Sequence, residues 1–287
     1  MPSDALVDVE HVSYAYGKAG QYALRDVSMQ IHKGEFVAFV GQNGAGKTTL
    51  AKHFNGLLLP TSGSVRVGGV DTREHGIRRL AGIVGYCYQN PDHQIFSSKV
   101  RSEVAFGPTN LGLPSDEIKR RVDEALKLVG LQDRADDYPF LLGRGERQLL
   151  AVASILATGS QILVVDEPTT GLDPRGTQSI MGLLQRWNRE SDRAIVVITH
   201  DMRIVAEYVP RTVMMAGGMI VADGPTREVL RDQAALELAG VRPPQVTRIA
   251  AHLEHYGVAA DVMTPDELVA EIHRLLERVD IPDTLVS

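Results

Sequence analysis

Apolar and polar residues alternate early in the chain, at Val7-Asp8-Val9-Glu10-His11-Val12 and again at Val27-Ser28-Met29-Gln30-Ile31. That two-residue period predicts strands with one buried face. His32-Lys33-Gly34 then turns the chain into an unbroken run, Glu35-Phe36-Val37-Ala38-Phe39-Val40, as expected of a strand covered on both faces. A helix-compatible stretch from Thr49 to Leu57 follows. Leu59-Pro60-Thr61-Ser62-Gly63 breaks the pattern, and Ser64-Val65-Arg66-Val67 before Gly68-Gly69 predicts a hairpin. A further strand, Ile83 to Tyr88, stops at Gln89-Asn90-Pro91-Asp92.

The pattern then becomes helical over about residues 93–158. Ser115 is placed to cap a helix reaching Val129, with Ile118, Val122, Ala125, Leu126 and Val129 on one face. A second helix is expected from near Gly145 through Leu156. Beyond it strands and helices alternate: Ile162 to Asp166, a helix from Pro174, Ala194 to Thr199, a helix from Asp201, and short strands Thr212 to Ala216 and Met219 to Ala222 around Gly217-Gly218. Such alternation predicts a largely parallel sheet with helices on both faces. From about Arg227 onward only helices are expected, divided by Pro243-Pro244 and Gly257. Thr264-Pro265-Asp266-Glu267 combines an N-cap, a proline in the first turn and a capping-box glutamate. The organisation expected is a domain over residues 1–228, with a helical subdomain at about 93–158, and a C-terminal helical extension over 229–287.

The first apolar run delivers the chain to Gly41-Gln42-Asn43-Gly44-Ala45-Gly46-Lys47-Thr48, which has the spacing G-x-x-x-x-G-K-[ST] between a strand and a helix. Glycines let the backbone wrap an anion so that N–H groups and a helix N-terminus point at phosphate oxygens. Gly41, Asn43, Gly44, Ala45, Gly46, Lys47, Thr48 and Thr49 are therefore the expected phosphate cradle, with Lys47 supplying a point charge and Thr48 a Mg²⁺ ligand. Ile162-Leu163-Val164-Val165 ends in Asp166-Glu167, and ligands sit at the carboxyl ends of strands in such sheets. Asp166 is expected near Mg²⁺ and Glu167 as the base that polarises a water. Val196-Val197-Ile198-Thr199-His200 leaves His200 at another strand end, where it can reach a γ-phosphate and orient Glu167. Gln89 ends a third strand within reach of Mg²⁺ or the water. Asp173 before Pro174 is an N-cap, and either Tyr14 or Tyr16 can stack on a base.

Composition narrows the setting. Thirty-six acidic against thirty basic side chains leave no electrostatic footprint for nucleic acid. Cys87 is the only cysteine, so no intrachain disulfide forms and a reducing compartment is expected. Met1-Pro2-Ser3-Asp4 lacks the basic start and apolar core of a leader. No apolar run approaches the ~20 residues that span a bilayer, so any membrane-spanning part is expected in another chain.

Taken in order, Gly41 to Thr48, Gln89, Asp166-Glu167, Asp173 and His200 resemble the Walker A, Q-loop, Walker B, D-loop and H-loop elements of the ATPase subunit of ABC transporters, over roughly residues 5–228. The resemblance implies an α/β, P-loop NTPase core with a parallel sheet, an N-terminal antiparallel β subdomain and a helical subdomain. It also implies ATP and Mg²⁺ as ligands and Tyr16 as the aromatic stacked on adenine. Tyr88-Gln89-Asn90-Pro91-Asp92-His93-Gln94-Ile95-Phe96 and Glu103 to Gly112, with the helical tail, resemble the energy-coupling-factor branch that imports cobalt, nickel or vitamins. That branch implies two ATPase subunits closing head-to-tail, as a homo- or heterodimer, at the cytoplasmic face of the cell membrane. It further implies a membrane coupling subunit gripped at the Q-loop groove and a separate substrate-binding membrane subunit.

One motif departs from the family. Its signature, Leu-Ser-Gly-Gly-Gln, aligns with Leu142-Gly143-Arg144-Gly145-Glu146. The resemblance implies that Gly143, Arg144, Gly145, Glu146 and Asp173 face the partner's ATP, and the serine hydroxyl is missing there. A soluble ABC ATPase of translation or repair is a rival reading, opposed by the single phosphate loop and the absence of a coiled-coil insertion. A catalytically weak regulatory module is the other; the altered signature favours it and the presence of Glu167 and His200 opposes it.

Overall fold

The computed structural model describes residues 5–17 and 20–277; Met1-Pro2-Ser3-Asp4 and the end of the tail, residues 278–287, lie outside them. The chain opens with β1 (Val7–Ala15) and β2 (Tyr22–Ile31), then β3 (Phe36–Val40), α1 (Lys47–Phe54), β4 (Ser62–Val67), β5 (Val70–Asp71), α2 (Ile77–Ala81) and β6 (Val84–Cys87). A helical section holds α3 (Val100–Asn110), α4 (Ser115–Leu128) and α5 (Arg144–Leu156). Alternation resumes with β7 (Ile162–Asp166), α6 (Pro174–Ser191), β8 (Ala194–Ile198), α7 (Met202–Tyr208), β9 (Arg211–Ala216) and β10 (Met219–Pro225). The chain continues through α8 (Thr226–Val229), α9 (Gln233–Ala239), α10 (Gln245–Leu253) and α11 (Pro265–Leu276).

Two sheets form. An antiparallel one runs β2-β1-β4-β5, and a six-stranded one runs β10-β9-β3-β8-β7-β6. In the latter β9, β3, β8, β7 and β6 are parallel while β10 pairs antiparallel with β9 at the edge. The sheet is thus mixed. Alternate residues of each central strand feed two cores: Phe36, Ala38, Val40, Val165 and Val197 face one, under the helices. Val37, Phe39, Val164, Val196 and Ile198 face the other, under the antiparallel sheet and α1. Burial on both faces explains why β3, β7 and β8 read as continuous apolar runs, each fully buried side chain contributing roughly 1.5–3 kcal/mol.

Several expected boundaries shift for local reasons. Helix α1 starts at Lys47, directly on the loop, and ends at Phe54, before Asn55 and the left-handed Gly56 (φ 72°). Pro114 rather than Ser115 is the N-cap of α4, and Ser115 is its first helical residue without a capping bond. Strand β1 bulges at Glu10-His11, where His11 has φ 50° and the register slips. Asp8, a polar position of that strand, is buried because β1 lies between β2 and β4, and it accepts a bond from Gln30 Nε2 at 2.9 Å.

The segment after residue 228 is of two kinds. Leu230 and the α9 residues Ala235, Leu236 and Ala239 are buried in the helical-face core of the main sheet. Ala250, Val258 and Val262 instead form a small cluster of their own, joined by Leu253, Leu268 and Leu275. Ile272 and Leu276, on the same helix as Leu268, stay exposed. Arg227 of α8 ties this cluster down: its guanidinium donates to the Asp261 carbonyl at 2.6 Å and to the Glu267 carboxylate. Glu267 is also the capping-box residue of α11, opposite Thr264.

Candidate nucleotide site

Sheet order sets the site. The loop after β3, His200 after β8, Asp166-Glu167 at the end of β7 and Gln89 after β6 leave four neighbouring parallel strands at the same edge. Residues 118 apart in sequence come into hydrogen-bonding range there because the register pairs Ala38 with Val197 and Val165 with Val197.

Two glycines of the loop are obligatory on steric grounds. A Cβ on Gly41 (φ 143°) would lie 2.2 Å from the Met215 carbonyl oxygen, and one on Gly46 (φ 103°) 2.7 Å from that of Ala23. Gly46 is the N-cap of α1, which has no side-chain cap, so the positive end of that helix opens on the loop. Lys47 is buried, and its Nζ donates to the carbonyls of Gly41 and Gln42 at 2.7 and 2.9 Å. Burial pushes its pKa down, opposed by the nearby carboxylates of Glu167 and Asp166. The ammonium is held over the loop's own oxygens, ready to exchange them for stronger acceptors.

Asp166 Oδ2 accepts two bonds of 3.0 Å, from Thr48 Oγ1 and from Tyr86 Oη. Burial pushes the Asp166 carboxyl up, while those two bonds and Lys47 pull it down and Glu167 pushes it further up. A carboxylate destabilised by burial beside a hydroxyl is a donor set suited to a hard cation. Among the described residues no three His, Cys, Asp or Glu side chains gather to hold a metal by themselves, so a cation here takes its remaining ligands from phosphate and water. Glu167 sits in the left-handed region, φ 50°, with its N–H on the Ile198 carbonyl at 2.8 Å; backbone strain of this kind gathers at functional positions. Its largely buried carboxylate accepts from His200 Nδ1 at 2.6 Å and from Thr170 Oγ1 at 3.3 Å.

A cavity of about 430 Å³ unites most of the expected set: Tyr16, Asn43 through Thr49, Gln89, Asp166 and Glu167 line it. Tyr16 is half-exposed and its hydroxyl lies 3.2 Å from Thr49 Oγ1. Gly143, Arg144, Gly145, Glu146 and Asp173 are not among its lining residues. Sequence reasoning missed Tyr86, Thr170, Gln21 and Tyr22. Only Tyr86 carried a signal, since a hydroxyl in a buried strand needs a partner.

A family profile described as ABC transporter matches residues 24–170. The chain belongs to that family. A putative ABC transporter ATP-binding protein of Caldanaerobacter subterraneus subsp. tengcongensis is 44% identical over 87% of this chain, which spans 44% of that relative. The energy-coupling factor transporter ATP-binding protein EcfA1 of the same organism is 39% identical, with 94% of this chain and 99% of the relative covered. Among solved structures, cbiO1 from Clostridium perfringens, described as part of the ABC transporter complex cbiONQ, superposes with a TM-score of 0.76 at 35% identity, covering 89% of this chain and 98% of that one.

In this ABC ATPase the signature segment starts α5. Gly143 is the N-cap, its N–H donating to Glu146 Oε2 at 2.8 Å, while Arg134 donates to the other Glu146 oxygen at 3.3 Å. The Arg144 guanidinium lies against Gly171: a Cβ there would stand 2.6 to 2.9 Å from its carbon and two terminal nitrogens. Asp173 accepts the Gly176 N–H at 2.7 Å as the N-cap of α6. Beside Gln89, a second cavity of about 370 Å³ is lined by Leu57, Ile77, Tyr88, Phe106, Leu111 and Ile155 among others. Ile77, Tyr88 and Phe106 of this groove are exposed to between 40% and 55%, an apolar surface that invites a partner.

Proposed function

We propose that this chain is the ATP-hydrolysing subunit of an energy-coupling-factor type importer for a vitamin or transition-metal ion. Hydrolysis rests on one observation: the Glu167–His200 pair, 2.6 Å apart, at the mouth of the cradle that holds Lys47, Thr48 and Asp166. Lys47 leaves the Gly41 and Gln42 carbonyls for β- and γ-phosphate oxygens. Thr48, Gln89 and Asp166 would hold Mg²⁺, which would supply positive charge against the charge developing on the phosphates. Glu167 takes a proton from the attacking water as its oxygen bonds to the γ-phosphorus and the bond to the β-phosphate oxygen breaks, releasing ADP and phosphate. His200 fixes the Glu167 carboxylate, with Nδ1–H donating to it at 2.6 Å.

The transport reading is supported by similarity to an energy-coupling-factor relative across 94% of this chain, tail included. The apolar groove beside Gln89 takes cytoplasmic helices of a membrane coupling subunit, and a third, substrate-binding membrane subunit selects the cargo. No helix among the described residues is long and apolar enough to cross a membrane, in keeping with a peripheral subunit at the cytoplasmic face. Gly143 to Glu146 and Asp173, which do not line the chain's own cavity, complete the site of a second ATPase subunit. The absent serine hydroxyl makes a different ATPase with an intact signature the preferred partner.

Steady-state turnover and nucleotide binding of the wild type and Glu167→Gln test the reading. The variant keeps ATP binding and loses hydrolysis by ~10²–10⁴-fold, the usual weight of general-base help. Wild-type turnover in Glu167→Gln would overturn it.

A further inference from the structure

The base side of the cavity is built from more than Tyr16. The β1–β2 ladder ends at the pair Ala15–Tyr22, so Tyr16 stands one residue past it and its ring is held by side-chain contacts. The Tyr14 ring meets it at a T-shaped angle, centroids 4.9 Å apart at 90°, and also meets the His53 ring at 5.0 Å and 81°. His53 is fully buried on α1, the helix that carries the phosphate loop. Burial lowers its pKa, against the raising effect of its bond to Thr49, which favours the neutral ring. Its Nδ1 lies 2.7 Å from the Thr49 carbonyl, which only accepts, so Nδ1 carries the proton. Thr49 closes the circuit, since its hydroxyl meets the Tyr16 hydroxyl at 3.2 Å.

His53 Nε2 is buried without a partner. A leucine would fill that space and strand no nitrogen, so packing alone does not account for the residue. The imidazole is locked at one angle by its bond to Thr49, and the Tyr14 ring packs against it at near-perpendicular inclination.

We propose that Tyr14 and His53 are positioning residues for the nucleotide base, a seat of two rings that aims Tyr16 across the cavity and couples its pose to the phosphate-loop helix through Thr49. The inference rests on the reading that Tyr16 faces the base. The triphosphate is held elsewhere, by the loop and Lys47, so base and phosphate contributions separate.

The test compares binding of ATP and of inorganic tripolyphosphate in the Glu167→Gln background, which prevents turnover. Tyr14→Leu and His53→Leu should each weaken ATP about three- to tenfold, the size of an edge-to-face aromatic pair, and leave tripolyphosphate unchanged. Tyr14→Phe keeps the ring contact and should bind ATP like the parent. Equal weakening of both ligands would reduce Tyr14 and His53 to structural residues and overturn the proposal. Unchanged ATP affinity in the leucine variants, with Tyr16→Ala impaired, would overturn it while sparing the base-stacking reading. Unchanged affinity in Tyr16→Ala itself would remove that reading instead.

Discussion

Two helices of this chain begin on a glycine beside a family motif, and they are built in opposite ways. Ahead of α1, Gly41 and Gly46 adopt conformations that other residues rarely reach, and a Cβ on either would strike a backbone oxygen of the same chain. Ahead of α5, Gly143 is extended (φ −62°, ψ 162°), and a Cβ there would meet only Glu146 Oε2, at 3.6 Å; Gly145 would meet only Leu172 at 3.8 Å. The phosphate loop is dictated by its own fold. Gly143 and Gly145 are sterically unconstrained within their own chain, and the Gly143 N–H is already bonded to Glu146. Nothing in the chain's own sterics demands glycine at these positions, whereas the phosphate-loop glycines Gly41 and Gly46 are dictated by backbone contacts.

The contrast is broken most severely at the loop. Gly41→Ala should abolish ATP binding, because the added methyl must displace the Met215 carbonyl at 2.2 Å and the backbone is already at φ 143°. Lys47→Ala should also weaken ATP by one to several orders of magnitude, about the loss of a buried charge from phosphate contacts. Titration of a fluorescent ATP analogue measures both, and near-normal affinity in either variant would contradict the assignment of the cradle.

A second change sharpens the contrast from the other side. Gly143→Ser with Arg144→Gly should fold normally, since a Cβ at position 143 has room, and should raise turnover of the isolated chain. A hydroxyl on a charged oxygen is worth ~1.5–3 kcal/mol, or about tenfold or more in closed-dimer population. Arg144→Gly also lifts the guanidinium off Gly171, the residue next to the Thr170 that holds Glu167. Brisk turnover of the unmodified chain, unimproved by the double change, would count against an asymmetric pair.

The tail offers a milder separation. Ending the chain at residue 228 removes Leu230, Leu236 and Ala239 from the main core and should lower its stability by several kcal/mol, at ~2–3 kcal/mol for each large buried side chain. Ending it after Val241 spares them and removes the segment built around the Ala250 cluster, together with Met263 of the main core. Thermal unfolding should show a marked loss for the first truncation and a smaller one for the second. Equal losses would show that the Ala250 cluster is part of the same cooperative unit.

What the sequence revealed follows the same divide. The phosphate loop, the strand-end acids and the Thr264 capping box are local patterns, so residue order alone exposed them. The β3, β7 and β8 runs were legible because burial on both faces leaves no alternation to misread. Contacts between elements distant in sequence were not legible: Tyr86 on Asp166, 80 residues away, or His53 of α1 against Tyr14 of β1. Helix α9 read as part of an appended tail because its apolar face shows that it is covered but not by what. The bulge at His11 and the N-cap at Pro114 were lost to backbone detail that a two-residue or 3.6-residue period does not record.

The smallest effect expected is a pH dependence confined to the tail. Burial pushes the Glu267 carboxyl up, but the Arg227 guanidinium and the Met263 and Thr264 N–H groups outweigh it and hold its pKa below the ordinary 4.5. A carboxylate lowered in the folded state adds stability above its unfolded value, and that stability is lost as pH falls through the folded one. Docking of α11 should therefore be at full strength at neutral pH and loosen as the pH falls below 4.5. Hydrogen exchange at α11 amides, corrected for intrinsic rates, should rise on acidification while the β3 and β7 amides hold. Glu267→Gln removes the titrating group yet keeps an amide oxygen for the cap. It should exchange faster at neutral pH and lose the acid-dependent rise. If the variant keeps the full rise, another group governs the tail, and Arg227–Glu267 is only a surface pair of the kind that contributes ~0–1 kcal/mol.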